Sequence, residues 1–246
     1  MRPVRILLYV ATFAWLAVPT PAQARDEHSS AVSAILFLGN SLTYGNDLPG
    51  IVCRLAAESG SLVHCDAVAR ADFALVDHWN ERAAANKLKR RKWSVVVMQQ
   101  GPSGGHEGRE LLLEYGKKWS TRVTDAGGRP AFFMVWPAVS RSQDFPRVSE
   151  SYRMAADQTG GIVLPAGDAW LEAWRRDRSL KLYGPDGFHP SLAGSYLAAL
   201  SIYRGIFGEL PASFADVEVA NRAARGNLGL SEEQLRILLD AAIATD

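Results

Sequence analysis

Ala34-Ile35-Leu36-Phe37-Leu38-Gly39-Asn40-Ser41-Leu42-Thr43 begins as an unbroken apolar run and ends in Gly-Asn-Ser. The run is too short and too densely apolar for a surface helix, so it predicts a strand buried on both faces, as in a parallel sheet. Gly39 permits a sharp exit from it. The next stretch, Leu48 to Ser59, spaces Leu48, Ile51, Val52 and Leu55 at helical intervals. Strand, tight turn and helix together put the Ser41 hydroxyl at the carboxyl edge of a sheet. Backbone N–H groups opening a helix lie beside it, where a developing oxyanion would find donors.

The same alternation continues downstream. Ser61–Val68, Trp93–Met98, Ala131–Trp136 and Ile162–Leu164 read as strands. Leu75–Arg90, Arg109–Asp125, Arg147–Thr159, Asp168–Arg176, Ser191–Phe207 and Ser231–Ala244 read as helices, with Gly127-Gly128 and Pro130 as a clear stop signal. Regular alternation predicts an α/β/α sandwich around a parallel sheet of about five strands. Ligands bind such sheets at the carboxyl ends of the strands. The loops after the first four strands and the loop Leu182–Pro190 should therefore converge on one site.

The chain starts with Arg2 and Arg5, an apolar run from Ile6 to Val18, and Ala22-Gln23-Ala24 ahead of Arg25-Asp26-Glu27. This is the pattern of a secretory signal peptide, residues 1–24, with cleavage after Ala24. The apolar run falls short of the roughly 20 residues that a membrane span needs. Residues 25–246 are then expected to form one domain, secreted or periplasmic, with no stable membrane anchor after cleavage. A composition of 48% hydrophobic and 22% charged residues is that of an ordinary globular protein. The net charge of +1 argues against a nucleic-acid partner. The basic run Lys87 to Lys92 falls at a helix end, where cations complement the helix dipole. In an exported chain the two cysteines, Cys53 and Cys65, favour a disulfide, because the first helix and the next strand would pack together. His64, His78 and His106 lack ligand spacing, so neither metal nor cofactor is expected.

The late loop reads Asp186-Gly187-Phe188-His189-Pro190-Ser191. A histidine base needs a carboxylate to hold its tautomer and stabilise the imidazolium. Asp186, three positions before His189, can fold back onto the ring, with Pro190 at the start of the long helix fixing the turn. Gly39-Asn40-Ser41-Leu42 and Asp186-x-x-His189-Pro190 resemble the first and last blocks of the SGNH (GDSL-type) hydrolases, and the match spans essentially the whole mature chain. The resemblance implies a flavodoxin-like fold and ester hydrolysis through a triad of Ser41, His189 and Asp186. It also implies an oxyanion hole drawn from three loops: the Ser41 N–H, a glycine N–H after the second strand and an asparagine side chain after the third.

Two blocks depart from that pattern. Ala71-Asp72 stands where the glycine is usual, and a backbone N–H from either can still donate. Gln99-Gln100-Gly101 replaces Gly-x-Asn-Asp, and a glutamine amide offers similar donors. Gln100 is the better placed, since Gln99 still continues the strand. Glutamine there resembles the carbohydrate-esterase-like branches, which points to small-molecule or carbohydrate esters carrying acetyl or short acyl groups. Trp136, at the end of the fourth strand, is a candidate substrate-binding wall. Two other readings stand beside this one. Gly101-Pro102-Ser103-Gly104-Gly105 has the form of an α/β-hydrolase nucleophile elbow around Ser103. A non-catalytic exported carbohydrate-binding protein on a degenerate hydrolase scaffold is the other.

Overall fold

The opening apolar run forms strand β1 (Ala34–Gly39), and every residue of it is buried. The computed structural model describes residues 32–245, so the expected signal peptide lies outside the described residues. Four more strands follow: β2 (His64–Ala69), β3 (Val95–Met98), β4 (Arg129–Phe133) and β5 (Ile162–Leu164). All pairings are parallel, in the order β2-β1-β3-β4-β5. Leu36 pairs with Asp66 on one side and Val96 on the other, which makes β1 an interior strand. Its apolar side chains have no wet face, as the uninterrupted run requires.

A four-residue helix, α1 (Ser41–Tyr44), starts directly after β1 and leads into α2 (Leu48–Glu58). Leu75–Arg90 is two helices rather than one, α3 (Leu75–Asn80) and α4 (Arg82–Lys89). Glu81 between them is extended, with φ −87° and ψ 148°. Then come α5 (His106–Asp125), α6 (Phe145–Asp157), α7 (Ala166–Arg176) and α8 (Leu192–Phe207). The last two are α9 (Val217–Ala224), which the sequence reading passed over, and α10 (Glu232–Ala244). Helix α8 packs against α2, α7 and α10, while α5 packs against α3 and α6, so both faces of the sheet are covered. The fold is the expected α/β arrangement around a five-stranded parallel sheet.

Two local expectations change, and a third holds. Strand β4 ends at Phe133, so Trp136 sits in the irregular segment beyond it. Pro190 is not the first residue of α8: Ser191 is its cap, accepting from the Gly194 N–H at 3.0 Å, and Pro190 pairs with Tyr183 across an isolated bridge. The Cys53–Cys65 disulfide is present, joining α2 to β2 with the Cα atoms 6.0 Å apart.

Candidate active site

Ser41 is the first residue of α1, and Asn40 before it caps the helix by accepting the Leu42 N–H at 3.1 Å. A first helical N–H has no partner within its own helix. That of Ser41 has none elsewhere among the described residues, and it stays available beside its own hydroxyl. The loop leading to α8 brings the other two side chains. Asp186 Oδ1 accepts the Phe188 and His189 N–H groups at 3.0 and 2.9 Å, and Gly187 takes a φ of +68° in the turn so closed. The second carboxylate oxygen lies 2.5 Å from His189 Nδ1, and His189 Nε2 lies 2.9 Å from Ser41 Oγ. Ser41, His189 and Asp186 thus form one hydrogen-bonded line across 148 positions of sequence. The hydrogen bond from His189, helped by the Phe188 N–H, holds the Asp186 carboxyl down at about 2. The carboxylate is therefore charged wherever the imidazole could act as a base.

The loop is fastened from behind. Trp136 Nε1 donates to the Phe188 carbonyl at 3.0 Å, Val139 N–H to the Gly187 carbonyl at 2.8 Å, and Tyr183 Oη to the Pro137 carbonyl at 2.6 Å. Trp136 is fully buried and stacks on Trp170 with the ring centroids 3.7 Å apart. This corrects its expected role as a substrate-binding wall: the indole supports the histidine loop and presents no open face. Beside Phe188, a cleft of about 560 Å³ opens between the β3–α5 and β4–α6 loops, lined by Pro102, Pro137, Ala138, Arg141 and Val148 among others. Ser103 also borders it, but that hydroxyl accepts from Gln100 Nε2 and donates to the Gly101 carbonyl, both at 2.9 Å. Among the described residues no histidine bonds to it, so the elbow around Ser103 lacks the base that a nucleophile needs.

No protein-family model and no curated protein matches the sequence. Among solved structures, the chain is similar to a protein from Slackia heliotrinireducens assigned to the SGNH hydrolases, at 27% identity and TM-score 0.62. That match covers 71% of this chain and 98% of the other. A DUF4886 family protein from Bacteroides uniformis matches at 15% identity and TM-score 0.61, covering 86% and 95%. An acetyl xylan esterase matches at 13% identity and TM-score 0.58, covering 70% and 99%. The chain has the SGNH-hydrolase fold.

Against the SGNH pattern, the two departing blocks fare differently. After β2, Asp72 takes the left-handed conformation with φ +62°, and neither the Ala71 nor the Asp72 N–H has a partner among the described residues. Their amides are free to donate. After β3 both glutamines are buried and engaged. Gln100 Nε2 donates to Ser103 Oγ and the Gly108 carbonyl, both at 2.9 Å. Gln99 Nε2 donates to the Gln100 carbonyl at 2.5 Å, and its Oε1 accepts the Asn40 N–H at 2.9 Å and the Thr43 hydroxyl at 2.7 Å. Gln100 has no N–H left to aim at a substrate, and Gln99 has no exposed surface from which to reach one, which corrects the expectation that one of them is an oxyanion donor. Sequence reasoning weighed His78 only as a metal ligand, whereas it is a buried ring whose Nε2 lies 2.9 Å from the Gly39 carbonyl. No spacing in the sequence sets it apart from an exposed helical histidine.

Proposed function

We propose that the protein is an exported serine esterase acting on acetyl or short acyl esters, with Ser41 as nucleophile, His189 as general base and Asp186 as its orienting carboxylate. The observation that carries this reading is the 2.9 Å contact between His189 Nε2 and Ser41 Oγ, continued to Asp186 by the 2.5 Å contact at Nδ1. In the first step Ser41 Oγ attacks the ester carbonyl carbon while its proton passes to His189 Nε2. The carbonyl oxygen becomes an oxyanion facing the free N–H groups of Ser41 and the Ala71-Asp72 turn. Collapse of that intermediate breaks the bond to the alcohol, which leaves with the proton from Nε2. Water then repeats the sequence on the acyl-enzyme and returns the serine. No step needs a metal or cofactor.

The open setting supports a short acyl group on a larger alcohol, carbohydrate included: the His189 and Asp186 side chains are 46% and 53% exposed. A bulky polar alcohol can lie across such a surface. Export is supported by the leader sequence at 1–24 and by the Cys53–Cys65 bridge. The test is hydrolysis of p-nitrophenyl acetate against the octanoate, with acetylated xylo-oligosaccharides as a third substrate. The acetyl esters should be turned over, and Ser41→Ala should lower kcat by roughly 1,000-fold or more while the near-UV spectrum stays native. Undiminished turnover by Ser41→Ala would sink the reading.

A further inference from the structure

The peptide unit joining Gly39 to Asn40 immediately precedes the nucleophile, and side chains from two other elements grip both of its ends. Its N–H donates to Gln99 Oε1 at the end of β3, 2.9 Å away. Its carbonyl faces His78 Nε2 of α3 at 2.9 Å and also accepts the Arg70 N–H at 3.1 Å. A carbonyl only accepts, so His78 Nε2 carries the proton, and this fixes the ring's tautomer. Gln99 Oε1 accepts a second bond from the Thr43 hydroxyl, two residues beyond the nucleophile, at 2.7 Å. One oxygen therefore ties the backbone before Ser41 to the helix after it. The Asn40 side chain closes the frame, accepting from the Leu42 N–H and donating to the Phe73 carbonyl at 3.0 Å. Relative exposures of 0% for Gln99, 1% for Thr43, 2% for His78 and 7% for Asn40 leave no water to substitute for a lost partner.

Four polar side chains buried under one turn are costly without hydrogen-bond partners, and here each has at least one within the frame. The frame also explains Gly39 itself: a Cβ there would stand 2.2 Å from Thr43 Oγ1 and 2.5 Å from Gln99 Oε1. We propose that Gln99 and His78 are positioning residues, which lock the Gly39–Asn40 peptide so that the Ser41 N–H and Oγ are held at fixed angles to the substrate carbonyl. Neither touches substrate; they act through the turn. The proposal rests on Ser41 being the nucleophile. It assigns the glutamine after β3 the role of an acceptor beneath the turn, in place of a donor to the oxyanion.

A misplacement of about 1 Å at a reacting group costs on the order of 100-fold in rate. Gln99→Met keeps the side-chain volume and removes the acceptor, so kcat for p-nitrophenyl acetate should fall roughly 30- to 100-fold, with KM within about twofold of the parent. Affinity for a trifluoromethyl ketone, whose hydroxyl adduct mimics the oxyanion, should fall by a similar factor. Gln99→Glu is the rescue: buried and protonated, it keeps an acceptor for the Asn40 N–H and a donor for the Gln100 carbonyl, and should recover most of kcat. At the other end, His78→Gln keeps an N–H donor and should outperform His78→Leu. Thr43→Val, which removes one of the two bonds to Gln99 at constant volume, should give an intermediate loss and guards against a Gln99 variant that does not fold. A folded Gln99→Met with kcat within about threefold of the parent, beside an inactive Ser41→Ala, overturns the proposal and leaves the nucleophile standing. An increase in KM at constant kcat also overturns it, because that is the mark of a substrate contact. Activity surviving in Ser41→Ala instead overturns the nucleophile on which the proposal rests.

Discussion

Asp186 divides its two oxygens between structure and chemistry. One accepts the backbone N–H groups that close the loop, and the other meets the histidine ring. Asp186→Asn preserves the first function and spoils the second, because an amide N–H facing Nδ1 favours the wrong tautomer. The expected result is a native fold with kcat lowered by roughly 10³- to 10⁴-fold, measured on p-nitrophenyl acetate at constant KM. With the carboxyl held at about 2, Asp186 stays ionised through mild acid. Asp186 should therefore contribute no proton to activity lost on mild acidification, read from kcat/KM against pH in the parent. Protonation of Asp186 detected between pH 4 and 7 would contradict this. Burial, outweighing the bond to Gly39, pushes the His78 pKa below its usual 6.5. The unfolded chain therefore binds a proton that the fold refuses, and stability should drop as pH falls from about 6.5. His78→Gln should flatten the dependence of Tm on pH between 8 and 5; an unchanged slope would refute it. Ser41, Asp186 and His189 were legible because each sits in a short local pattern whose turn chemistry needs no distant partner. Gln99 and Trp136 were not, since which side of a strand end faces the pocket depends on the elements packed above it.

At the scale of elements, the densest apolar runs were the most legible. β1 and β3 are flanked by other strands and covered by helices on both faces, and no other structure accommodates such runs. The break at Glu81 left no signal, for the stretch contains neither proline nor glycine and its helical spacing continues across the extended residue. Helix α9 is short, and its start depends on the Asp216 side chain accepting the Glu218 and Val219 N–H groups, a cap that reads in sequence as one more loop carboxylate. The disulfide belongs to this scale too. It fastens α2 to the edge strand β2, away from the hydrogen-bonded line of the site. Reducing it, or replacing both cysteines with alanine, should lower unfolding free energy by about 3 kcal/mol in urea titrations and leave kcat/KM within about twofold. A loss of activity in step with reduction at temperatures where the fold persists would show that the bridge also shapes the site.

In the molecule as a whole, the strand order β2-β1-β3-β4-β5 sets what can meet at the carboxyl edge. With β1 inside the sheet, its exit turn lies between the β2 and β3 loops, and the loop before α8 returns from the far end of the sequence to complete the line. Among the described residues, four of the five non-glycine residues with positive φ lie in these same loops, Asn46 and Asp47 after β1, Asp72 after β2 and Ser103 after β3, the fifth being Arg225 at the end of α9. Backbone strain of this kind persists where packing over-determines it, and it clusters at functional sites. The fold could be read from the alternation of elements, whereas the frame under the nucleophile needed the three-dimensional arrangement. The most direct test of Ser41 as nucleophile is mass spectrometry of the protein after reaction with a fluorophosphonate. One phosphonyl group on the peptide containing Ser41, absent from Ser41→Ala and retained in Ser103→Ala, is the expected result. Labelling at Ser103, or no labelling of a chain that still hydrolyses p-nitrophenyl acetate, would contradict it.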